Sequence, residues 1–180
     1  MRLSKEDWLK GSLSILIQYG PEAIKIDNLC SVLKVTKGSF YHHFQNREVF
    51  VNSLLDHWQQ ENTKLIIDEV NQYDNPHLRG EVIDHLARNR DTDSENAIRA
   101  CGHFDPLVAQ RVKIVDEQRL GFLQKLIAKL ITTDINVNLI AKMSYAHFIG
   151  AQQLNQIITP EEWRAMDNLL QSLLFRQGSK

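Results

Sequence analysis

A short segment, Thr36–Arg47, contains two phenylalanines and several polar side chains that can hydrogen-bond with a ligand. With about 100° between successive residues of a helix, Phe40 and Phe44 point to one side and His42 points to the opposite side. The phenylalanine side is suited to a hydrophobic core. The polar side is therefore free to contact a ligand.

The polar side chains of this segment match the hydrogen-bonding groups of double-stranded DNA. Lys37 suits a guanine edge or a phosphate, and Ser39 and His42 suit base edges. Gly38 adds no bulk where the backbone must approach the duplex closely. Phosphate oxygens fix the register of a protein on DNA without carrying sequence information. The side chains suited to those oxygens are Tyr41, His43 and Arg47.

Two short helices joined by a tight turn are expected to position this segment. The second helix begins at Thr36, whose hydroxyl group can accept a hydrogen bond from the Ser39 amide. A helix-turn-helix module inserts such a second helix, N-terminus first, into the major groove of DNA. The first helix has one apolar face, formed by Ile26, Leu29, Cys30 and Leu33.

These residues resemble the N-terminal signature of TetR-type transcriptional regulators. The resemblance covers roughly residues 8 to 54, and the number and lengths of the helices expected downstream agree with the nine-helix layout of that family. It implies a homodimeric DNA-binding repressor whose C-terminal body binds a small molecule and dimerises through its last two helices. The motifs that carry it are Gly20, Ile24–Cys30, Val35–Phe44 and Asn46–Glu48.

The resemblance also implies roles for individual residues. Lys37, Ser39 and His42 fall at base-facing positions, whereas Lys25 falls with Tyr41, His43 and Arg47 at positions that face the DNA backbone. The full set predicted to bind DNA is Lys25, Thr36, Lys37, Gly38, Ser39, Tyr41, His42, His43 and Arg47.

The chain departs from the family pattern at two positions. Lys34 stands where the family commonly has glycine, and a non-glycine residue at positive φ costs about 1 kcal/mol. Lys25 replaces the usual Thr or Ser cap of the second helix, which removes a neutral cap but places a cation near the phosphates.

Helical spacing of apolar residues continues along the rest of the chain and predicts an all-α fold with about nine helices and no strand. A helix is expected from Ser4 to about Tyr19, where Gly20-Pro21 ends it. A long helix is expected from Asn46 to about Gln72, and Thr159-Pro160 starts the last one. The predicted domains are a helix-turn-helix DNA-binding domain at 1–50 and a larger ligand-binding and dimerisation domain, a helical bundle, at 51–180.

The net charge of −1 conceals an asymmetry along the chain. Residues 1–50 contain seven Lys/Arg and five Asp/Glu, whereas residues 51–180 contain 14 Lys/Arg and 17 Asp/Glu. The N-terminal segment is therefore positive by two charges and the remainder negative by three. This small asymmetry favours a nucleic-acid partner for the N-terminal end.

The composition excludes several classes of protein. With 43% apolar and 24% charged residues the chain can bury a core, and its 8 Gly and 4 Pro argue against a turn-dense β fold. No run reaches the ~18 apolar residues of a membrane span, and residues 1–10 lack the apolar centre of a signal peptide, so we expect a cytoplasmic protein. Cys30 and Cys101 form no CxxC motif and are expected to be buried, reduced thiols.

Two further residue sets are predicted in the C-terminal body. Polar, aromatic or reactive residues within apolar stripes are the candidates for an effector pocket: Trp58, Cys101, His103, Tyr145, His147, Phe148 and Gln152. Small and apolar residues on the last two helices would form a four-helix dimer interface. These are Met143, Ala146, Gly150, Leu154, Trp163, Met166, Leu170 and Leu173.

The same residues are compatible with other interpretations. The Tyr-His-His-Phe cluster is also compatible with an ordinary helix surface over two buried phenylalanines. His42 and His43 diverge by about 100° on a helix and cannot share a metal ion without further ligands. An enzyme is disfavoured because GxSxG, P-loop, dinucleotide and HExxH motifs are missing from the sequence, and no metal or cofactor is expected. A helical dimer that acts through protein contacts without DNA is the remaining alternative.

Overall fold

The computed structural model describes residues 3–89, 92–131 and 136–175. The described residues form ten α-helical segments and no strand. Because a π-helical turn at Gln60–Lys64 joins the fourth and fifth segments, they form nine helical rods, which confirms the predicted all-α fold. The helices are α1 (Lys5–Tyr19), α2 (Ile26–Val32), α3 (Lys37–His43), α4 (Arg47–Gln59), α5 (Leu65–Asn71), α6 (Pro76–Arg88), α7 (Asp93–Gly102), α8 (Pro106–Leu130), α9 (Val137–Gln153) and α10 (Pro160–Phe175).

The first helix begins and ends as its sequence predicts. Ser4 caps α1 by accepting from the Asp7 amide at 3.1 Å, and the Asp7 carboxylate accepts in return from the Ser4 amide at 2.9 Å. These reciprocal bonds form a capping box, which satisfies amides that a helix start leaves unpaired. Gly20 follows the helix at φ 77°, a conformation that glycine adopts without steric cost.

The helices form two compact units. The first unit consists of Met1–Leu65 and Asp91–Val115, and the second consists of Ile66–Arg90 and Asp116–Lys180. The predicted division into domains at 1–50 and 51–180 stays a prediction.

The core of the first unit contains an aromatic cluster around Trp8. The Trp8 ring packs edge-on against Phe40 with centroids 5.6 Å apart and against Phe44 at 6.3 Å. Phe50, from α4, packs against both phenylalanines at 5.4 and 5.1 Å. Because α3 contributes Phe40 to this cluster and Phe44 follows it directly, α1 and α4 hold the position of α3.

The second unit has its own small apolar core and a polar network. Ile127, Ile140 and Ala141 are buried together between α8 and α9. Asp167 of α10 accepts from Arg88 of α6 and pairs with His147 of α9, each at 2.8 Å. This carboxylate therefore ties three helices of the second unit together.

The predicted long helix from Asn46 to Gln72 is present but is not uniform. Asn46 caps α4 by accepting from the Val49 amide at 2.9 Å, and α5 ends at Asn71. Between them the π-helical turn leaves Thr63 buried. The residues of this turn are polar, and the apolar residues on either side of it keep helical spacing. The sequence therefore gives no signal for the interruption.

None of the helices within the described ranges combines the length and the apolar character needed to cross a bilayer.

Candidate nucleic-acid interface

The turn between α2 and α3 has the geometry of a tight helix-to-helix connection. The chain reverses at Lys34, which lies at φ 54°, and the Val35 amide donates to the Cys30 carbonyl at 3.0 Å. Lys34 therefore adopts the left-handed conformation expected where the family has glycine. Thr36 then starts α3, and its hydroxyl group accepts from the Ser39 amide at 3.2 Å, as predicted.

The two sides of α3 differ sharply in exposure. Phe40 is fully buried and Phe44, directly after the helix, is 1% exposed, whereas Tyr41 is 54% exposed. Lys37 and His42 are exposed as well. Gly38 is exposed, and a Cβ atom placed there would meet only the Thr36 hydroxyl oxygen, at 3.5 Å. The polar side of α3 is therefore open to a partner.

Two of the predicted DNA-binding side chains also make contacts within the protein. The Ser39 hydroxyl oxygen accepts from the Trp8 indole N–H at 3.4 Å, which leaves its own O–H available as a donor. The His43 Nε2 atom lies 2.9 Å from the Leu3 carbonyl oxygen, so this half-buried ring binds the chain just before α1. Because Nε2 donates to this carbonyl, the other ring nitrogen can donate to a phosphate only when the ring is a protonated imidazolium, so the predicted phosphate contact of His43 requires the charged ring.

Each of the three predicted cationic contacts lies beside a carboxylate. The Lys25 ammonium is 2.7 Å from Glu22, the Lys37 ammonium is 2.6 Å from Asp27, and the Arg47 guanidinium is 2.8 Å from Asp105. These carboxylates are not among the residues predicted from the sequence. The i,i+3 spacing of Glu22 and Lys25 offered a signal, whereas the other two pairs join residues from separate helices or turns.

Local hydrogen bonds and charges fix the ionisation of two of these groups. A hydrogen bond from Lys37 to Asp27, together with the charge of Asp27, raises the pKa of Lys37. Burial raises the pKa of Asp105, but hydrogen bonds from Arg47 and from the Leu107 amide outweigh burial and hold this pKa below its usual value. Asp105 is thus an ionised N-cap of α8 as well as the partner of Arg47.

The residues predicted for an effector pocket divide between the two units. Trp58 is fully buried in the core of the first unit, Cys101 packs against that core, and His103 is exposed after α7. Burial raises the pKa of Cys101 to about 11, so its thiol stays protonated at neutral pH. The remaining four, Tyr145, His147, Phe148 and Gln152, belong to α9 in the second unit.

The α9 residues lie in a partly aromatic and partly charged environment. The Tyr145 hydroxyl donates to Asp116 at 2.7 Å and accepts from Arg119 at 3.3 Å, and burial raises its pKa to about 12. Phe148 packs against Tyr145 at 6.2 Å and against Trp163 at 5.9 Å between ring centroids. Gln152 is 4% exposed.

A cleft that the sequence does not reveal lies in the first unit. It has a volume of about 350 Å³, and none of the predicted pocket residues lines it. Gly20 and Pro21, which the sequence marks as a helix stop, form part of its wall. The full lining is Leu16, Ile17, Gly20, Pro21, Asp93, Asn96, Ala97 and Ala100.

Four of the eight residues predicted for the dimer interface are exposed and apolar. On α9 and directly after it, Met143 and Leu154 are each 46% exposed, and Ala146 between them is exposed. A Cβ atom at Gly150 would meet nothing within 4 Å. On α10 Met166 is 39% exposed.

The other members of the predicted dimer set lie differently. Trp163 is half-buried against Phe148, and Leu170 is half-buried. The side chain of Leu173 lies outside the described part of the chain. Leu139 and Leu169, 56% and 60% exposed, extend the apolar surface and are missing from the predicted set.

Known proteins resemble this chain in two ways, in the sequence of its N-terminal motif and in its fold. Residues 9–54 match the family model of the bacterial regulatory proteins of the tetR family. The chain is similar to the reduced form of E. coli NemR, with a TM-score of 0.71 and 16% identity over 92% of each chain. It is also similar to apo AibR, with a TM-score of 0.66 and 16% identity over 93% of this chain and 97% of that one. Curated proteins gave no match.

The matched residues run from within α1 into α4 and contain the whole α2–turn–α3 surface described above. The TM-scores of 0.71 and 0.66 show a shared fold along most of the chain, and at 16% identity the likeness to the solved structures is one of fold alone. Residues 9–54 are therefore similar in sequence to the tetR family of bacterial regulatory proteins, and the chain as a whole is similar in fold to the two solved structures.

Proposed function

We propose that the protein is a sequence-specific, ligand-responsive transcriptional regulator that binds a palindromic DNA operator as a homodimer and represses until a small molecule releases it. The observation that carries this proposal is the open polar side of α3, held in place by the buried rings of Phe40 and Phe44. Residues 1–50 would bind DNA in the cytoplasm, and residues 51–180 would dimerise and bind the effector. No catalytic role is proposed.

The proposed contacts follow from which side chains are exposed. Lys37 and His42, on the open side of α3, would read base edges in the major groove together with the Ser39 hydroxyl group. Tyr41 and Arg47 would contact phosphates and fix the register. Arg47 uses one terminal nitrogen for Asp105 and is 56% exposed, so its remaining N–H groups can face the duplex.

Dimerisation is proposed because one recognition helix buries too little surface for tight, specific binding. Two copies related by a two-fold axis reach two half-sites about one helical turn, or ~34–36 Å, apart. The apolar stripe of Met143, Ala146 and Leu154 on α9, together with Met166 on α10, is the surface that supports this step, since such patches mark association sites.

The effector would act by shifting an equilibrium between two arrangements of the protein. A ligand that prefers one arrangement changes the population by its difference in affinity for the two. We propose that the bound effector tilts the long helix that begins at Arg47 and so changes the spacing of the two recognition helices. The aromatic and charged surroundings of Tyr145 and Phe148 support a site in the second unit.

A gel-shift assay of genomic fragments tests the proposal. We expect saturable, sequence-selective binding by the wild type and a changed preference for His42→Ala or Lys37→Ala, with a loss of about 1–3 kcal/mol per base contact. Absence of binding to every fragment at low salt would contradict DNA binding and favour a protein-interaction module. An identical preference for the wild type and both variants would contradict the base-reading roles.

A further inference from the structure

An ion pair spans the turn of the proposed DNA-binding surface. The Asp27 carboxylate, in the first turn of α2, lies 2.6 Å from the Lys37 ammonium, at the first residue of α3. The side chains remain 74% and 62% exposed, so a duplex that approaches the start of α3 meets both charges together.

Stability does not account for this pair. Exposed ion pairs contribute little to folding because water already solvates both charges and two long side chains lose freedom when they pair. The turn is fixed independently by the Thr36 cap and by the hydrogen bond from Val35 to Cys30. The pair is therefore available for a role in binding.

Asp27 changes which DNA groups Lys37 can bind favourably. A lone ammonium is attracted to any phosphate, which is the basis of sequence-independent binding. A phosphate that approaches this ammonium must displace the carboxylate or accept a like charge a few ångströms away, which is unfavourable. The O6 and N7 atoms of guanine are neutral acceptors and meet much weaker repulsion.

The ammonium can satisfy the carboxylate and a base at the same time. It has three N–H donors, of which one suffices for Asp27, and two remain for O6 and N7 of one guanine. A guanine thus adds to the existing pair, whereas a phosphate competes with it.

We propose that Asp27 is a specificity-determining residue of the interface: it holds Lys37 away from phosphates and reserves the ammonium for a guanine edge in the operator. This inference rests on the proposed function in DNA binding. Asp27 lowers affinity for non-operator DNA more than it lowers affinity for the operator.

A matched pair lies in the same region of the protein. Glu22 and Lys25 are 2.7 Å apart and 87% and 71% exposed, but Lys25 is proposed to contact only the DNA backbone. Removal of the Glu22 charge therefore frees a cation that meets a phosphate in every complex. It should strengthen operator and non-operator binding by the same factor.

The test compares Asp27→Asn and Glu22→Gln in the full chain. The operator duplex would first be obtained by selecting bound sequences from a random pool of duplex DNA. Fluorescence anisotropy would then measure binding to this operator and to a scrambled duplex of equal length, over a range of salt concentrations. For Asp27→Asn we expect scrambled-duplex affinity to rise about ten-fold per dimer, the scale of one added backbone contact per subunit, with a steeper salt dependence. The ratio of operator to scrambled affinity should fall at least about three-fold. For Glu22→Gln that ratio should stay unchanged.

A double variant isolates the effect that passes through Lys37. In a Lys37→Ala background, Asp27→Asn should no longer change the operator-to-scrambled ratio. Thermal unfolding of each variant would show that the fold is retained. An unchanged ratio for Asp27→Asn, or an equal fall in the Lys37→Ala background, would overturn the inference while selective binding by the wild type left the proposed function intact. Failure of the wild type to select any duplex would instead overturn the proposed function.

Discussion

Replacing Tyr41 tests a proposed contact with the DNA backbone by removing a single oxygen atom. Its ring packs edge-on against Phe40 at 5.3 Å and is 54% exposed, so Tyr41→Phe keeps the packing and removes only the hydroxyl group. We expect weaker binding to all DNA sequences by about 1.5–3 kcal/mol per subunit, the value of a hydrogen bond to a charged group. Gel-shift titration with operator and scrambled duplexes measures this loss.

Tyr19 provides the control for that experiment. It is 57% exposed at the end of α1 and has no proposed contact with DNA, so Tyr19→Phe should bind as the wild type does. A loss confined to the operator would contradict a phosphate contact for Tyr41.

Asp84 gives a residue-scale prediction about pH. Burial raises its pKa, as does the charge of Asp167, while Arg88 and a hydrogen bond from Gln171 lower it. Because the raised pKa means that the folded state binds a proton more tightly than the unfolded chain, stability falls as the pH rises above the ordinary value of 3.8. Asp84→Asn should therefore be more stable than the wild type at pH 7.

Urea unfolding at two pH values checks this prediction. The gain for Asp84→Asn should disappear at a pH well below the ordinary pKa of 3.8, where Asp84 is protonated in both the folded and the unfolded state. Asp68→Asn, at an exposed position on α5, is the control and should change little at either pH. A gain of equal size at both pH values would contradict the role assigned to the Asp84 charge.

At the scale of one element, the turn between α2 and α3 holds one non-glycine residue at positive φ. Lys34 lies at φ 54°, where a Cβ atom is unfavourable. Lys34→Gly relieves that strain but makes the unfolded chain more flexible, which offsets part of the gain. We expect the free energy of unfolding to rise by about 0.5–1 kcal/mol.

Lys34→Ala separates backbone strain from loss of the lysine side chain. Alanine keeps the Cβ atom, so this variant should unfold at nearly the same urea concentration as the wild type. Equal stabilisation by glycine and alanine would show that the side chain, and not the backbone, is the source of the effect.

The helical elements show which features a sequence encodes locally. The caps at Ser4, Thr36 and Asn46 were predictable because each hydroxyl or amide bonds to an amide three residues ahead. The π-helical turn at Gln60–Lys64, where Thr63 is buried, was not predictable, because the local spacing of apolar residues gives no signal for it. Sequence thus predicts where these helices start better than how one of them is interrupted.

At the scale of the whole molecule, the apolar stripe that includes Leu154 predicts self-association. Leu154 is 46% exposed, and a glutamate there would place a charge in the proposed interface. Leu154→Glu should shift the protein from dimer to monomer in sedimentation velocity at micromolar concentration. Asn155→Glu, an exposed neighbour, should leave the dimer intact. Equal masses for both variants would contradict the proposed interface.

Contacts between residues that are far apart in the sequence could not be predicted from it, whereas the local pattern of α3 could. The open side of α3 was predictable because Phe40 and Phe44 repeat at helical spacing. The contact of Arg47 with Asp105 joins residues 58 positions apart, and the cleft beside Gly20 is formed by α1 and α7, so neither has a local signature. Folding alone brings such groups together.

Selection of binding sites from a random pool of duplex DNA tests the central claim most directly. With the wild-type chain, we predict enrichment of an inverted repeat whose half-sites lie about one helical turn, or ~34–36 Å, apart. With Lys37→Ala, the half-site preference should change while the two-fold symmetry remains. Recovery of no consensus by the wild type, or of a consensus without two-fold symmetry, would contradict the account.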